Sequence, residues 1–344
     1  MGKNVTIRNI AQEAGVSVCC VSWVLNDHPR SKLVSEATRK RVLDCAREMG
    51  YRRNQLAAAT RTGQVNTIAV IYNFSDMQRH NPVTRIITGI MMESTVRRYS
   101  IKIFDQNDLE LTFRQIAENC IGKVIFTSAG HELREQTAEL AEKYSFDLVF
   151  AYEHGHGRFP AVNTDNVELT SKIVHYLAGY GHSRIALLCV PHWAHYVEDR
   201  HAGYLRGMTE CGLQTDPRWI CCSNETERSV ETMLALPVEV RPTAFIALSD
   251  MMAARAQRTA WEHGLKIPMD FSIVGIGDTE SSVSTAVPLT TFRENFIETG
   301  KLLVRLILGD KLEISPDEFN VYHTHAELVE RKSVFDIKNN GRKK

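Results

Sequence analysis

From residue 67 onward, short apolar runs alternate with longer stretches of helical periodicity, and this alternation constrains the fold more than any other feature of the chain. The runs have the composition of buried strands and cover residues 68–72, 101–104, 124–127, 148–152, 184–190, 243–248 and 271–276. Because strands that are apolar on both faces must be covered on both faces, the pattern predicts parallel sheets flanked by helices. This part of the 344-residue chain is long enough for two such lobes, with a ligand cleft at the carboxyl ends of the strands.

The first fifty residues predict a separate, all-α unit. Thr6, Ser17 and Ser35 stand at N-cap positions before three short stretches of helical periodicity, and Gly15 and Gly50 follow the first and the third. The tight connection between the first two helices is typical of a helix-turn-helix, in which the second helix enters the major groove of DNA. Generic helical hairpins share this periodicity, so spacing alone leaves both interpretations open.

The formal net charge is zero, from 41 Lys and Arg against 41 Asp and Glu, but the charge is unevenly distributed. Residues 1–64 contain eleven Lys or Arg and five Asp or Glu, so this end carries +6 and the rest of the chain carries −6. A compact basic unit on an acidic body indicates a polyanionic partner, and chance clustering of surface charge is the alternative.

The cysteine spacing argues against a disulfide framework or a zinc finger. The eight cysteines are Cys19, Cys20, Cys45, Cys120, Cys189, Cys211, Cys221 and Cys222. None of them forms a Cys-x-x-Cys motif, and adjacent cysteines are poorly spaced for zinc or for pairing. The first residues contain no apolar stretch, and no apolar run approaches ~18 residues, which predicts neither an export signal nor a membrane span. We therefore expect reduced thiols in a cytoplasmic protein.

The residues themselves resemble the lactose/galactose repressor (LacI/GalR) family over nearly the whole chain. In the head, the similar residues are the segment TIRNIAQEAGVS at 6–17 and positions 21–22, 24–26, 34–36, 38–39, 41–42 and 50–51. In the body, the similar motifs are at 67–71, 180–186, 200–204, 267–275, 288–291 and 328–331. Each motif is short, and their common order and spacing carry the resemblance.

The resemblance implies a homodimeric transcription regulator, usually a repressor, with a small helix-turn-helix head and a two-lobed α/β body like that of periplasmic binding proteins. The expected domains are a DNA-binding head at 1–50, a hinge helix and linker at 51–66, and an effector-binding and dimerisation body at 67–344. The expected lobes of the body are 67–162 with 292–322, and 163–291 with 323–344. The implied partners are double-stranded operator DNA, a small effector and a second copy of the chain, with pairing of dimers into a tetramer left open.

By the family pattern, DNA contacts are expected from the head and the hinge. The residues are Thr6, Ile7, Ser17, Val18, Cys19, Ser22, Trp23 and Asn26 in the head, and Tyr51, Asn54, Leu56, Ala57 and Thr60 in the hinge. Val18, Cys19 and Trp23 occupy the positions that usually choose the DNA sequence. Trp23 stands where an Arg is common, so bidentate recognition of guanine is lost there. The indole can press against thymine methyl groups, or it can merely pack against sugars.

The hinge also departs from the family pattern. Thr60 stands where the family usually inserts a Leu into the minor groove to kink the DNA. Leu56 lies four residues earlier, on the same helical face, and is an alternative wedge. A protein that bends DNA little is the other interpretation.

For the effector, the resemblance points to six residues around the cleft, namely Tyr152, Asp165, Arg200, Ser249, Asp250 and Asp278. Arg200 resembles the family's ligand-gripping arginine, whose planar donors suit hydroxyl pairs or carboxylates. Gly277 stands where many members carry an Asp that binds sugar hydroxyls, with Asp278 next to it. Asp165 either lines the cleft or caps the following helix. Carbohydrates are the expected class of effector.

The alternatives to a regulator lack their motifs. The segment at 154–157 opens no helix and is not expected to bind phosphate. The pairs His192/His195 and His323/His325 have spacings that reach a metal, but we expect no third ligand near them, and therefore no metal and no cofactor. Neither a Gly-x-Ser-x-Gly elbow nor a His-Glu-x-x-His helix occurs, so the sequence does not predict an enzyme. A secreted sugar-binding protein would need an export signal and would lack the basic head.

Overall fold

The computed structural model describes residues 5–26, 28–51, 65–74 and 82–340. The chain divides into two compact units, Met1–Gly63 and Gln64–Lys344, and each is described by itself. The hinge residues Asn54, Leu56, Ala57 and Thr60 lie outside the described residues, so the interpretations that concern them stay predictions.

The described residues of the head form three α-helices and a short 3-10 helix. These are α1 (Ile7–Ala14), α2 (Val18–Leu25), the 3-10 helix (Pro29–Leu33) and α3 (Glu36–Glu48). Thr6 and Asn9 form a reciprocal capping box at the start of α1, and Gly15 ends it in the left-handed conformation at φ 63°. Ile10, Val21 and Val42 are fully buried, one from each helix, and form the centre of a small core. The expected connection between α1 and α2 is therefore present.

Two parallel sheets organise the body. The first sheet contains β1 (Thr67–Tyr72), β2 (Ser100–Asp105), β3 (Lys123–Phe126), β4 (Asp147–Ala151), β5 (Ala161–Thr164) and β11 (Val321–Thr324), in the order β11-β5-β4-β3-β1-β2. The second contains β6 (Ile185–Cys189), β7 (Ile220–Cys222), β8 (Ala244–Ala247), β9 (Ser272–Ile276), β10 (Thr290–Glu294) and β12 (Ala326–Val329), in the order β12-β10-β9-β8-β6-β7. Among the described strands, only the pairing of β10 with β12 is antiparallel. The alternation in the sequence predicts this arrangement.

Helices cover both sheets. Those of the first lobe are α4 (Val83–Val96), α5 (Leu109–Glu118), α6 (His131–Lys143) and α11 (Phe296–Ile307). Those of the second lobe are α7 (Asn166–Gly179), α8 (His195–Glu210), α9 (Thr226–Leu234) and α10 (Asp250–Glu262), and α12 (Ile337–Asn340) follows near the end of the chain. Within the described residues, no helix has the length and apolar character needed to cross a bilayer.

The chain passes between the lobes three times, at residues adjoining the ends of β5, β10 and β11. These crossings lie two or three residues beyond the expected boundaries, so 292–294 belong to the sheet of the second lobe rather than to the first lobe. The difference arises because β10 continues its pairing with β9 through Phe292 before the chain leaves the sheet.

Glycines let two pairs of helices approach closely. A Cβ on Gly89 of α4 would lie 2.1 Å from the carbonyl oxygen of Ile297 on α11, and one on Gly300 would lie 2.1 Å from that of Ile86. A Cβ on Gly203 of α8 would likewise lie 2.3 Å from the carbonyl oxygen of Val167 on α7. No side chain fits at such separations, so each helix pair depends on its glycines.

We expect Gly89→Ala to lower the free energy of unfolding by about 1–3 kcal/mol, because the added methyl group must push α4 away from α11. Chemical denaturation of the full chain measures the effect. Gly179→Ala is the matched control, since a Cβ there meets nothing within 4 Å. It should change stability by less than about 1 kcal/mol, and equal losses in both variants would contradict the proposed close packing.

Candidate DNA-binding surface and effector cleft

The outer face of α2 presents the residues expected to read DNA. Val18 is 45% exposed and Cys19 is exposed, whereas Val21 and Val24 on the opposite face are buried. Ser17 caps the helix by accepting a hydrogen bond from the Cys20 amide at 3.1 Å. The buried valines therefore hold α2 in the head and leave its other face available for a groove.

The polar residues at the ends of α1 and α2 already have local partners. The side-chain amide of Asn26 donates from Nδ2 to the Ser22 carbonyl oxygen at 2.7 Å and to the Ser22 hydroxyl at 3.2 Å. The Thr6 hydroxyl donates to Asn9 Oδ1 at 2.6 Å, next to half-buried Ile7. Contacts of these groups with DNA stay predictions.

Trp23 packs within the head. Its ring stacks on the His28 ring with the centroids 6.3 Å apart, and the Arg30 guanidinium lies 5.8 Å from the indole centroid. The indole is half-buried by these neighbours, which hold it at the end of α2. Tyr51 is also half-buried and packs against the core of the head, with its amide donating to the Ala46 carbonyl at 2.9 Å. Neither contact was predicted from the spacing.

A cavity of about 700 Å³ lies between the two lobes of the body. Its walls are rich in aromatic side chains, with Tyr72, Tyr152 and Phe296 from the first lobe and Trp193 and Tyr196 from the second. The carboxyl ends of β1, β3, β4, β8, β9 and β10 all contribute residues to it or adjoin it. This is the place at which parallel sheets bind small ligands.

Arg200 lines this cavity and is only 5% exposed. Its Nε donates to Asn166 Oδ1 at 2.7 Å, one terminal nitrogen donates to the Leu248 carbonyl at 2.7 Å, and the other donates to Glu294 Oε1 at 2.9 Å. Glu294 Oε1 also accepts a hydrogen bond from the Thr164 hydroxyl at 2.9 Å. The arginine is thus held by a buried ion pair and two further acceptors.

Ser249 and Tyr152 also line the cavity. The Ser249 hydroxyl caps α10 by accepting from the Met252 amide at 3.2 Å. Burial raises the pKa of the Tyr152 hydroxyl well above its ordinary value, and nearby Glu294 raises it further, so the group is a neutral hydrogen-bond donor.

The three expected aspartates do not line the cavity. Asp165 caps α7 by accepting from the Glu168 amide at 2.8 Å, so of its two expected roles the structure shows the cap. Asp278 forms ion pairs with Arg293 at 2.8 Å and Arg331 at 2.5 Å, and it is not among the described residues that line the cavity.

Asp250 is buried beneath the start of α10. It accepts hydrogen bonds from the Thr279 amide at 2.6 Å and from the Thr291 hydroxyl at 2.5 Å. Burial nevertheless raises the pKa of this carboxyl to about 6. Its contacts join α10 to the segment after β9, which is a structural role outside the cavity lining.

The residue patterns did not reveal several polar groups of the cavity. One of these groups is the carboxylate of Glu294, which lies at the carboxyl end of β10. An acidic residue at the end of a strand is the sequence signal that could have identified it. Within the described part of the chain, the Tyr152 hydroxyl, Ser128 Oγ and Gln106 Oε1 are buried without a hydrogen-bond partner, and all three residues line the cavity. Buried polar atoms normally have partners, so these three indicate a polar ligand.

The expectation that all thiols are free is wrong for one pair, because Cys189 and Cys222 form a disulfide. They lie opposite each other at the ends of the adjacent parallel strands β6 and β7. Spacing rules consider cysteines close in the sequence, whereas this pair is 33 residues apart and is brought together by strand order. The other six cysteines are free.

The expectation that no further ligand lies near the histidine pairs is wrong for His192 and His195, whereas His323 and His325 belong to no group of possible ligands among the described residues. His192 lies with Cys189 and Cys222, and His195 lies with His131 and Glu153, with the possible ligand atoms of each group within 4.8 Å of one another. Burial by itself would raise the pKa of Glu153, but hydrogen bonds from His195 and Gly130 outweigh it and lower that pKa, so the carboxylate is ionised. His323 and His325 instead pair with Asp317 at 2.7 Å and Glu168 at 3.2 Å.

Two family models match the two units of the chain. Residues 6–54 match the model described as bacterial regulatory proteins, lacI family, and residues 174–334 match a periplasmic binding protein-like domain. Among solved structures, the chain is similar to the lac repressor dimer bound to operator and an anti-inducer, with a TM-score of 0.72, 24% identity and coverage of 97% of this chain and 100% of that one. A complex of the regulator CelR with cellobiose has a TM-score of 0.68, 22% identity and coverage of 96% and 100%. These likenesses confirm the fold.

Curated relatives extend the similarity to the sequence. The transcriptional repressor CytR of Escherichia coli K12 is 30% identical over 314 residues, which are 88% of this chain and 89% of CytR. The transcriptional repressor PurR of Aliivibrio salmonicida is 28% identical over 347 residues, with coverage of 96% and 99%. Both are regulators by name, in agreement with the expectation of a regulator rather than an enzyme. The chain belongs to the LacI family of bacterial regulatory proteins.

Proposed function

We propose that this protein is a repressor that binds a palindromic operator as a homodimer through α2 and is controlled by a carbohydrate-like effector in the cleft. The observation that carries the proposal is the joint presence of an exposed α2 face on a basic head and, in the body, a cavity whose polar atoms include three without a partner in the described part of the chain. In such a protein, effector and DNA are coupled because each favours one arrangement of the lobes.

The electrostatics of the head support DNA as the partner. Residues 1–64 carry a net charge of +6, and Arg8, Lys40 and Arg41 are exposed on the head. Each phosphate contact made by such side chains releases counterions, so binding should weaken steeply as salt rises. Operator binding would place the protein in the bacterial cytoplasm, where the DNA is.

The lining of the cavity supports a hydroxylated ligand. Aromatic rings offer flat apolar faces, while Tyr152, Ser128 and Gln106 offer polar atoms that have no partner in the described residues. Sugars combine an apolar ring face with many hydroxyl groups, and they match both features. The two structures named for bound cellobiose and bound glucose belong to regulators of the same fold. A thermal-shift screen across sugars, sugar acids and nucleosides would identify the ligand.

The outer face of α4 supports assembly with a second copy. Met92 and Val96 lie one helical turn apart there and are 50% and 76% exposed, and Ile103 of neighbouring β2 is exposed as well. Exposed apolar side chains on neighbouring elements favour a protein interface. A solved structure of the lac repressor, which has this fold, is that of a dimer bound to operator.

Val96→Asp should therefore shift the protein from dimer to monomer, because it places a charge on that apolar face. Sedimentation velocity of the full chain measures the change. Val238→Asp is the control, since Val238 is 67% exposed on the second lobe. A dimer that survives Val96→Asp as well as it survives Val238→Asp would rule out this face.

Trp23→Arg should move the selected operator toward guanine at one position of each half-site, because it restores a bidentate donor at the end of α2. Binding-site selection from random duplexes compares the variant with the unmodified protein. We expect the unmodified protein to select an operator that differs from the common family half-site opposite Val18, Cys19 and Trp23.

Trp261→Arg is the control for charge, since Trp261 is 75% exposed on α10 of the body. It should leave the selected sequence unchanged. Selection of the ordinary family half-site by the unmodified protein would refute the altered specificity, and no preference over random duplexes would refute the repressor itself.

Tyr152→Phe should weaken binding of the sugar identified by the thermal-shift screen by about 2- to 13-fold, the equivalent of about 0.5–1.5 kcal/mol for one hydrogen bond. It should leave the thermal stability of the ligand-free protein unchanged or raise it, because the deleted hydroxyl has no partner in the described structure. Isothermal titration calorimetry and thermal unfolding measure the two effects.

Tyr204→Phe is the matched control. The Tyr204 hydroxyl donates to the Ile185 carbonyl at 2.8 Å and lies away from the cavity lining. Its loss should lower stability and leave sugar affinity unchanged. The reverse pattern in the two variants would place the ligand elsewhere.

A further inference from the structure

Three chain segments bring two imidazoles and a carboxylate together beside the cleft. His131 begins α6 of the first lobe, Glu153 follows β4, and His195 begins α8 of the second lobe. The possible ligand atoms of the three side chains lie within 4.8 Å of one another. The rings of His131 and His195 pack in a T-shaped arrangement with their centroids 4.3 Å apart. Donors around a tetrahedral zinc ion are about 3.3 Å apart, so only a small closure would complete such a site.

The carboxylate in this group is fully buried. One oxygen of Glu153 accepts a hydrogen bond from the Gly130 amide at 2.6 Å, and the other contacts His195 Nδ1. Within the described part of the chain, the partner of Glu153 that is able to carry a positive charge is the imidazole of His195. A buried carboxylate is costly unless a cation lies beside it, and a metal ion would supply that cation.

Further carboxylates surround the histidines. Glu198 Oε1 lies 3.2 Å from His131 Nε2, and Asp199 Oδ2 lies 3.0 Å from Nε2 of His154, whose ring stacks on that of His195. Carboxylates in contact with imidazoles orient the rings of metal ligands and raise their basicity. The neighbourhood thus has the surroundings of a metal site as well as its ligands.

We propose that His131, Glu153 and His195 bind a divalent transition metal ion such as Zn²⁺ at the junction of the two lobes. Two imidazoles and one carboxylate select zinc, cobalt or nickel over magnesium and calcium, which prefer oxygen ligands alone. Three protein ligands leave a coordination position open to water or to a ligand group. His131 also lines the effector cavity, so the ion lies at the edge of that cavity.

The ion would hold the lobes together, since His131 belongs to one lobe and His195 to the other. It would favour the arrangement of the lobes in which these ligands converge, and it would be linked reciprocally to whatever else favours that arrangement. This coupling to the effector rests on the proposed function, whereas metal binding by itself does not.

Cobalt and zinc titrations of the full-length protein under reducing conditions test the site. We expect one ion per chain, d–d absorption from Co²⁺ without a thiolate charge-transfer band, and a rise in the unfolding temperature with Zn²⁺. His131→Ala should weaken Zn²⁺ binding at least tenfold and abolish that rise. This variant keeps the pair of Glu153 and His195, so folding should be preserved, and circular dichroism checks it.

His195→Gln is the second variant and should also weaken binding at least tenfold. His325→Ala is the matched control, because His325 lies 3.2 Å from a Glu168 oxygen, just as His131 lies 3.2 Å from a Glu198 oxygen. His325 belongs to neither cluster of possible ligands. Unchanged affinity in folded His131→Ala would overturn the proposal. So would a thiolate charge-transfer band that is lost in His192→Ala, since it would place the ion on Cys189 and Cys222 instead. Failure of sugar or operator binding would leave these metal results standing.

Discussion

The buried ion pair of Arg200 and Glu294 is the interaction around which the body is organised. Arg200 lies on α8 of the second lobe, and Glu294 lies where the chain leaves β10 for the first lobe. The same pair reaches Thr164 at the end of β5 and Asn166 at the start of α7, so it joins two of the three crossings between the lobes. Bringing these charges out of water costs several kcal/mol, and the pair is tolerable because the surrounding acceptors and donors are satisfied. The ion pair therefore fixes the positions of the segments that it joins, rather than adding to the free energy of unfolding.

That position determines the chemistry of the cavity. Because three acceptors hold the guanidinium of Arg200 in one orientation, it needs no search among rotamers when a ligand binds. The centroid of the Tyr196 ring lies 5.3 Å from the guanidinium carbon. A ligand enters a surface whose polar directions are already set, and among the described residues the Tyr152 hydroxyl still lacks a hydrogen-bond partner.

Local rules explain what the sequence predicted well. The capping box of Thr6 and Asn9 and the left-handed Gly15 are interactions between residues close in the chain, and they define α1 and its turn. Runs of buried strand residues are equally local, so the alternation is sufficient to predict two parallel sheets. Arg200 was found only through a family resemblance, since nothing in its neighbours distinguishes it from other arginines.

Long-range contacts explain what the sequence did not predict. Asp278 stands beside the expected acidic position, but its carboxylate forms ion pairs with Arg293 and Arg331. Arg331 is 53 residues away in the sequence. Cys189 and Cys222 meet because β6 and β7 are neighbours, which depends on strand order.

The segment from the end of β6 to the start of α8 makes several long-range contacts within a few residues. Cys189 is bonded to β7, Trp193 lines the cavity, and His195 contacts Glu153 across the lobe junction. Because only a short loop joins Cys189 to His195, we expect a change of lobe arrangement at His195 to move the wall of the cavity at Trp193.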